Sequence, residues 1–345
     1  MVDVYFLPFE KFDKLEKFFE HLNIFNIFEQ NEEIGLKIHF GNSKHKNHIP
    51  PQYILPVINI LKNKNVTQFL TDTNVLYRGE RDETFSHLEL AYKNGFGNLG
   101  IPILIAGGYD SDYEFEIEIN GNHFKKLYFA KEYKYFNGMI ALTHFKGHML
   151  SGIGGTIKNI GMGCASRKGK FAMHSKLTPE INHSICKGCG ICVKECLFDA
   201  IYMKNKAYIN QEKCKGCAQC IHICPYGAIS IPWSSVSSDE FQEKLVEYTY
   251  GIIKFYKKFV AINFLINITP DCDCASNPGK ILSKNIGVCV SNDPIAIDKF
   301  SVDLIKEING YDIFLKIRPE INYNHQFEYA EKIGLGTTKY KLIEF

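Results

Sequence analysis

The sequence predicts an α/β domain, a largely parallel sheet with flanking helices, interrupted by a small α+β insertion. Three observations predict it. The first 70 residues alternate strand-like and helix-like hydrophobic periods, and the same alternation resumes after residue 239. Between these blocks, Ile185–Ile229 carries eight of the twelve cysteines.

Taken in order, Val2–Leu7 reads as a strand. Glu10–Phe28 carries Phe12, Leu15, Phe18, Phe19 and Leu22 at helical spacing and reads as one amphipathic helix. Gly35–Phe40 is a strand, Tyr53–Lys62 a helix after Pro50-Pro51, and Val66–Leu70 a strand. Phe85–Lys93 is helical, and Ile101–Ala106 is a continuous apolar strand. Tyr113–Ile119 alternates as a strand, and Met139–Leu142 is a buried strand running into His144. Polar loops at 41–48, 71–82, 107–112 and 143–148 are expected to gather at the carboxyl ends of the strands, where open α/β sheets bind ligands. After the insertion come a linker at 234–238 and a long helix Asp239–Phe259. Strands Val260–Ile268 and Ile286–Ser291 follow, then a helix Pro294–Lys306 with proline in its first turn. The expected organisation is one discontinuous α/β domain, residues 1–178 and 234–345, with an inserted unit at 179–233.

The cysteines of the insertion form two runs, each C-x2-C-x2-C-x3-C: Cys186, Cys189, Cys192, Cys196, and Cys214, Cys217, Cys220, Cys224. This is the spacing that wraps a cubane [4Fe–4S] cluster, and in two-cluster ferredoxins the fourth cysteine of each run serves the other cluster. One cluster therefore takes Cys186, Cys189, Cys192 and Cys224, and the other Cys214, Cys217, Cys220 and Cys196. The runs repeat at an offset of 28 residues, with Lys187, Gly188, Ala200 and Ile201 answered by Lys215, Gly216, Ala228 and Ile229. A double zinc site or a disulfide framework are the competing uses of such cysteines.

Composition narrows the function. Apolar content of 45% and charged content of 23% suit an ordinary folded protein. A formal charge of +2 offers no broad basic field for nucleic acid. The N-terminus lacks a signal-peptide pattern, and Phe259–Ile268 is too short and polar to insert in a membrane. Cytoplasmic location is expected, with thiols used for metal rather than for disulfides.

Outside the insertion, His144, Lys146 and His148 lie on a short polar stretch suited to an anion, a carboxylate or phosphate, and are the candidate catalytic residues. The stretch is not H-E-x-x-H, because position 145 is Phe. Cys272 and Cys274, two apart, and Cys164 form a candidate third metal or cluster site, completed by His174, His144, an aspartate or solvent. Cys289 reads as a small core hydrophobe. The lysines at 187, 194, 204, 206, 213 and 215 outline a docking face for an acidic partner or a solvated face. His222, inside the second run, is either a tuning residue or an exposed bystander.

Several motifs, in order on both sides of the insertion, resemble one family. They are Thr71-Asp72-Thr73-Asn74, His144–His148, Ile157–Ser166, Met173-His174-Ser175, Ile268–Cys274 and Ser291–Asp298. The chain resembles the uncharacterised iron–sulfur centre proteins that carry domain of unknown function 362 with a two-cluster ferredoxin-type insertion. The resemblance implies [4Fe–4S] clusters and electron transfer, and no agreed reaction for the rest of the chain. Leu197 departs from the pattern, standing where the first run usually has proline.

Two functions follow. The chain is an electron-transfer protein that passes low-potential electrons to a redox partner protein or to a site in its own α/β domain. Alternatively it is an oxidoreductase acting on a small anionic substrate at a His144/Lys146/His148 pocket, with Asp72, Asn74 and the Cys164/Cys272/Cys274 group in the site. A cluster-based sensor is the third reading.

Overall fold

A computed structural model describes residues 1–108, 114–232 and 235–345. Eight strands form the central sheet: β1 (Val2–Pro8), β2 (Glu33–Lys37), β3 (Thr67–Thr73), β4 (Ile103–Ala106), β5 (Gly138–His144), β6 (Phe259–Leu265), β7 (Gly287–Ser291) and β8 (Tyr340–Glu344). Their order is β8-β1-β7-β6-β5-β2-β3-β4. Only β7 runs against the others, pairing antiparallel with β1 and β6. The mostly parallel α/β sheet is thus as expected, and β8, an edge strand beside β1, is an addition.

Parallel strands covered on both faces read as continuous apolar runs, because neither face meets water. In β5, Met139 and Ala141 join one hydrophobic core while Ile140 and Leu142 join the other. In β6, Ala261 and Leu265 face the first core, and Val260, Ile262 and Phe264 the second. The helices Ser238–Tyr256 and Pro294–Asn309 cover the first face; Leu15–His21 and Leu55–Asn63 cover the second. Ser237 and Asp293 cap the two long helices through their side chains.

The predicted single helix over 10–28 is broken into a 3-10 turn Phe9–Lys14, the helix Leu15–His21 and a second 3-10 turn Asn23–Ile27. Lys11 and Leu22 leave helical geometry, and the breaks let Phe18, Phe19, Leu22, Phe25 and Phe28 all reach the core. A straight helix of that length would turn part of this set to solvent. Glu114–Glu118 pairs with Lys126–Ala130 as a hairpin outside the main sheet. Tyr113, the residues 109–112 of the third polar loop, and the 233/234 boundary lie outside the described residues. The glycine-dense stretch after β5 folds into a hairpin, Lys146–His148 with Gly152–Gly154, and two helices, Thr156–Gly161 and Arg167–His174.

The cysteine segment forms two small ribbons. Glu180–Ile181 pairs with Ile229–Ser230, and Ile201–Met203 with Ala207–Ile209. Its backbone repeats as its sequence does. Gly188 and Gly216 both take left-handed conformations, as do Gly190 and Ala218, and Asp199 and Gly227. Left-handed geometry disfavours a Cβ, so its retention at Ala218 and Asp199 shows that the turn, not the residue, is what the repeat preserves.

Candidate functional site

Each cysteine set surrounds its own cavity. One, about 340 Å³ of empty space with its mouth included, is lined by Cys186, Cys189, Cys192 and Cys224; the other, about 370 Å³ on the same measure, by Cys196, Cys214, Cys217 and Cys220. Three cysteines come from one run and the fourth from the other, the partition drawn from spacing. Two backbone donors repeat as well: Ala200 N–H reaches Cys196 Sγ and Ala228 N–H reaches Cys224 Sγ, both at 3.3 Å. The walls are otherwise largely apolar, with Ile181, Ile191 and Ile229 at the first cavity and Phe198, Ile201 and Ile209 at the second.

A larger cleft, about 1050 Å³ of empty space with its mouth included, opens at the carboxyl ends of β2, β3 and β5. The chain leaves β2 toward β3 and β4, then returns to place β5 and β6 on the other side. The divergence of connections between β2 and β5 leaves a crevice, the ligand position of open α/β sheets. Lys37 ends β2, Asp72 and Thr73 end β3, and Thr143 and His144 end β5, all lining the cleft.

The expected residues His144, Lys146 and His148 all line it, but their partners define different roles. His144 lies 2.8 Å from both the Asp273 carboxylate, through Nδ1, and the Ile266 carbonyl, through Nε2. Both ring nitrogens are thus engaged within the protein, and the ring serves the architecture. Lys146 donates to the His144 carbonyl and lies 3.3 Å from the same Asp273 oxygen. Burial pushes the Asp273 carboxyl up, but His144 and Lys146 outweigh it and hold it well below its ordinary value. His148 Nδ1 accepts from the Ser151 N–H, which leaves Nε2 as its proton-bearing nitrogen, and the ring stacks on Phe241. Burial lowers its basicity.

The surplus of positive charge comes from residues that no sequence motif singled out as functional. Lys37 is neutralised by Asp72 at 2.9 Å, and Asn159 braces it at 3.0 Å. Arg81 is buried at the cleft and donates to the Tyr77 hydroxyl at 3.1 Å. Lys170 donates to Thr73 Oγ1 and the Ala165 carbonyl. Lys158 points at Cys272 Sγ, 3.5 Å away. Burial, reinforced for Lys158 by Lys146 and Arg81, pushes the Lys158 ammonium down to about 7. Burial likewise brings Lys170 to about 7, against the attraction of Asp72. His39 accepts the Gly41 N–H at Nδ1, so its Nε2 carries the proton; that buried atom has no partner. Against Lys37, Arg81, Lys146, Lys158 and Lys170 stand the carboxylates of Asp72 and Asp273. Basic groups therefore outnumber carboxylates around the cleft.

Gly155, at the cleft, and Asp298 behind it set the turn of the floor. Asp298 accepts from the N–H groups of Thr156 and Ile157 and from Asn263. A Cβ at Gly155 would lie 2.5 Å from that carboxyl, so only glycine lets the chain turn there into the helix that bears Lys158. Asn74, expected in the site, is buried beside Thr84 and His87 and does not line the cleft.

The expected third metal site is not assembled. Cys164 lies in the hydrophobic core, its Sγ 3.8 Å from Met139 Sδ, and burial raises its thiol to about 12. Cys272 and Cys274 both line the cleft, joined to each other as a disulfide rather than held as free thiols. His174 stacks on Phe241 at the cleft wall. Among the described residues, no group of three or more His, Cys, Asp and Glu side chains is disposed to hold a single ion. Cys289 is a buried core residue, as expected.

Cleft and cysteine segment touch. Arg78 donates to the carbonyl of Cys224, and Leu76 packs into the segment's core while also lining the cleft. Phe171 packs beside Gly216 from the helix that carries Lys170 and His174.

The sequence matches the family model described as Domain of unknown function (DUF362) over residues 34–303. The chain belongs to this family. The matched span of this DUF362 member includes both the cleft residues and the whole cysteine segment. No curated protein matches it in sequence. Two solved structures are similar in part. One is the lactate racemase apoprotein from Thermoanaerobacterium thermosaccharolyticum, at 13% identity and TM-score 0.42, covering 77% of this chain and 51% of that one. The other is a structural-genomics protein from Thermotoga maritima, at 7% identity and TM-score 0.46, covering 88% and 59%. This chain therefore spans between half and three fifths of their lengths. Among the described residues, no helix is long and apolar enough to cross a membrane.

Proposed function

We propose that this protein is an iron–sulfur oxidoreductase in which two [4Fe–4S] clusters serve a small anionic substrate in the cleft. One observation carries the reading: two cavities of similar size, each lined by four cysteines in the three-plus-one partition of a two-cluster ferredoxin. The donor set fits the group. Cubane clusters take one thiolate per iron, prefer sulfur, and are stabilised by N–H donors such as those of Ala200 and Ala228. A zinc site would instead need four sulfurs converging on one ion.

When bound, the clusters would supply low-potential electrons one at a time. The chain's own residues define where those electrons are used. Cys189 is exposed, so a redox partner protein can approach the first cavity from solvent. Cys224, of the same set, is bonded through its carbonyl to Arg78, whose loop also carries Tyr77 and Arg81 to the cleft. This contact supports electron use within the chain. In the cleft, Arg81, Lys158 and Lys170 bind and orient the anion. Lys158 and Lys170, brought near neutrality by burial, can each hold or release a proton at Nζ around pH 7. The apolar side chains of Leu142 and Met162 on the wall limit water and strengthen each ionic contact. Lys146 and His144, tied to Asp273, hold the rim in place.

The test is anaerobic reconstitution with metal and sulfide analysis and EPR of both redox states. About eight iron and eight labile sulfide per chain are expected. Zinc without labile sulfide would sink the reading.

A further inference from the structure

We propose that Cys272 and Cys274 are a redox-active disulfide–dithiol pair at the wall of the cleft. The proposal rests on the cluster reading for its source of electrons. Three observations beyond the spacing lead to it. The two sulfurs are bonded to each other while the other ten cysteines are not. Both residues line the cleft, and Cys274 also lines a second opening with Tyr77, Arg78 and Arg81, which leads outward. Lys158 places its Nζ 3.5 Å from Cys272 Sγ, with no carboxylate among the described residues bonded to it.

A disulfide in a core would be a staple, but this one closes a loop of three residues. The chain-entropy stabilisation of a cross-link grows with loop length, so so small a loop contributes little to folding. Its placement against a cationic cleft is what distinguishes it from a structural bond. Cations lower the free energy of a thiolate and so make a cysteine easier to reduce from the disulfide and quicker to react.

The step balances. The Cys272–Cys274 S–S bond takes up two electrons and breaks, and two protons complete two thiols. The reductant is a pair of one-electron iron–sulfur centres, which match a two-electron couple. Lys158 Nζ donates one proton to Cys272 Sγ and is reprotonated by solvent entering the cleft; solvent at the second opening supplies the other proton to Cys274. The pair would thereby collect single electrons into a two-electron donor for the substrate. Lys158 meets the reacting sulfur directly and is the proton donor in this step.

The full chain, reconstituted with iron and sulfide, is titrated with dithionite and then alkylated and weighed. Wild type is expected to take up about four electrons, one per cluster and two for the pair. Cys272→Ser/Cys274→Ser should keep about eight iron but take up about two electrons. Alkylation should appear at Cys272 and Cys274 of wild type only after reduction. In reduced Lys158→Met, alkylation of Cys272 at fixed pH should slow several-fold, which a purely structural lysine would not cause. About eight iron with an uptake of only about two electrons in wild type would overturn the pair and spare the cluster reading. Chain without iron or sulfide would remove the cluster reading itself, and the pair's reductant with it. Full alkylation of both cysteines before reduction would overturn the pair whatever the iron content.

Discussion

The cysteine segment and the cleft hold their functional groups in opposite ways. Each cavity of the segment draws its sulfurs from residues 186–224, at intervals set by short turns. The cleft gathers Lys37, Asp72, His144, Lys158, Lys170 and Cys272 from six stretches that meet because parallel strands end together. The segment's small core takes in Leu76 and Phe171 from the host, with Ile201, Ile221, Ile229 and Ile231 of its own. The host rests on two extensive cores, one on each face of its sheet. A region that buries so little apolar surface leans on its neighbour and, in the proposed function, on bound clusters; one that buries this much tolerates charge at its edge.

Iron removal should break the comparison most sharply. Chelation is expected to expose residues 179–232 to proteolysis while the host keeps its circular dichroism, and mass mapping of the first cuts would show it. Cys220→Ser should take iron from about eight to about four per chain, since one set loses a ligand while the other stays whole. Loss of all iron would mean that the two sets are not independent.

The next effect belongs to the cleft. Asp273 is fully buried between His144 and Lys146. Asp273→Ala leaves the buried Lys146 ammonium without its counter-charge and His144 without its acceptor, and should cost about 3–5 kcal/mol in denaturant unfolding. The host should lose this stability with iron content unchanged.

Lys158→Met and Lys170→Met should each weaken phosphate binding in calorimetry by tenfold or more, as expected for a charge-assisted hydrogen bond of about 1.5–3 kcal/mol. For the wild type, affinity should fall as pH rises through about 7, where both lysines lose their protons. Stability should move the other way. An unfolded lysine titrates near its ordinary 10.5, so between about 7 and that value the unfolded chain holds more protons and stability rises with pH. Parallel movement of affinity and stability would show that these lysines do not bind the anion.

The smallest effect tests the repeat. Ala218 takes the left-handed conformation that its counterpart Gly190 adopts freely. Ala218→Gly should relieve about 1–2 kcal/mol of backbone strain and return about 0.5–1 kcal/mol of chain entropy. A net gain within about 1 kcal/mol is expected in thermal unfolding of the iron-loaded protein.

Much of this was legible in the residues, for reasons that differ by region. The strands of the sheet announced themselves because both faces are covered and their runs are apolar. The single helix over 10–28 misread its aromatics: packing, not helical period, decides where Phe25 and Phe28 point. His144, Lys146 and His148 all line the cleft, but their contacts there were not legible in the sequence. Asp273 engages two of them, and Arg81, Lys158 and Lys170 carry the free positive charge. A basic residue beside glycine-rich turns was the available signal for Lys158 and Lys170, and it does not say which lysines turn inward. Cys164 was grouped with Cys272 and Cys274 by residue type alone, and the core claimed it.

The sequence by itself determined the cysteine spacing and the α/β alternation, because both are written in local intervals and hydrophobic periods. Tertiary structure decided the cleft: which lysines are buried, which carboxylates neutralise them, and that Cys272 meets Cys274 beside Lys158. Strand order brings distant residues together, and burial then sets their charge. Neither is a property of any short stretch of chain.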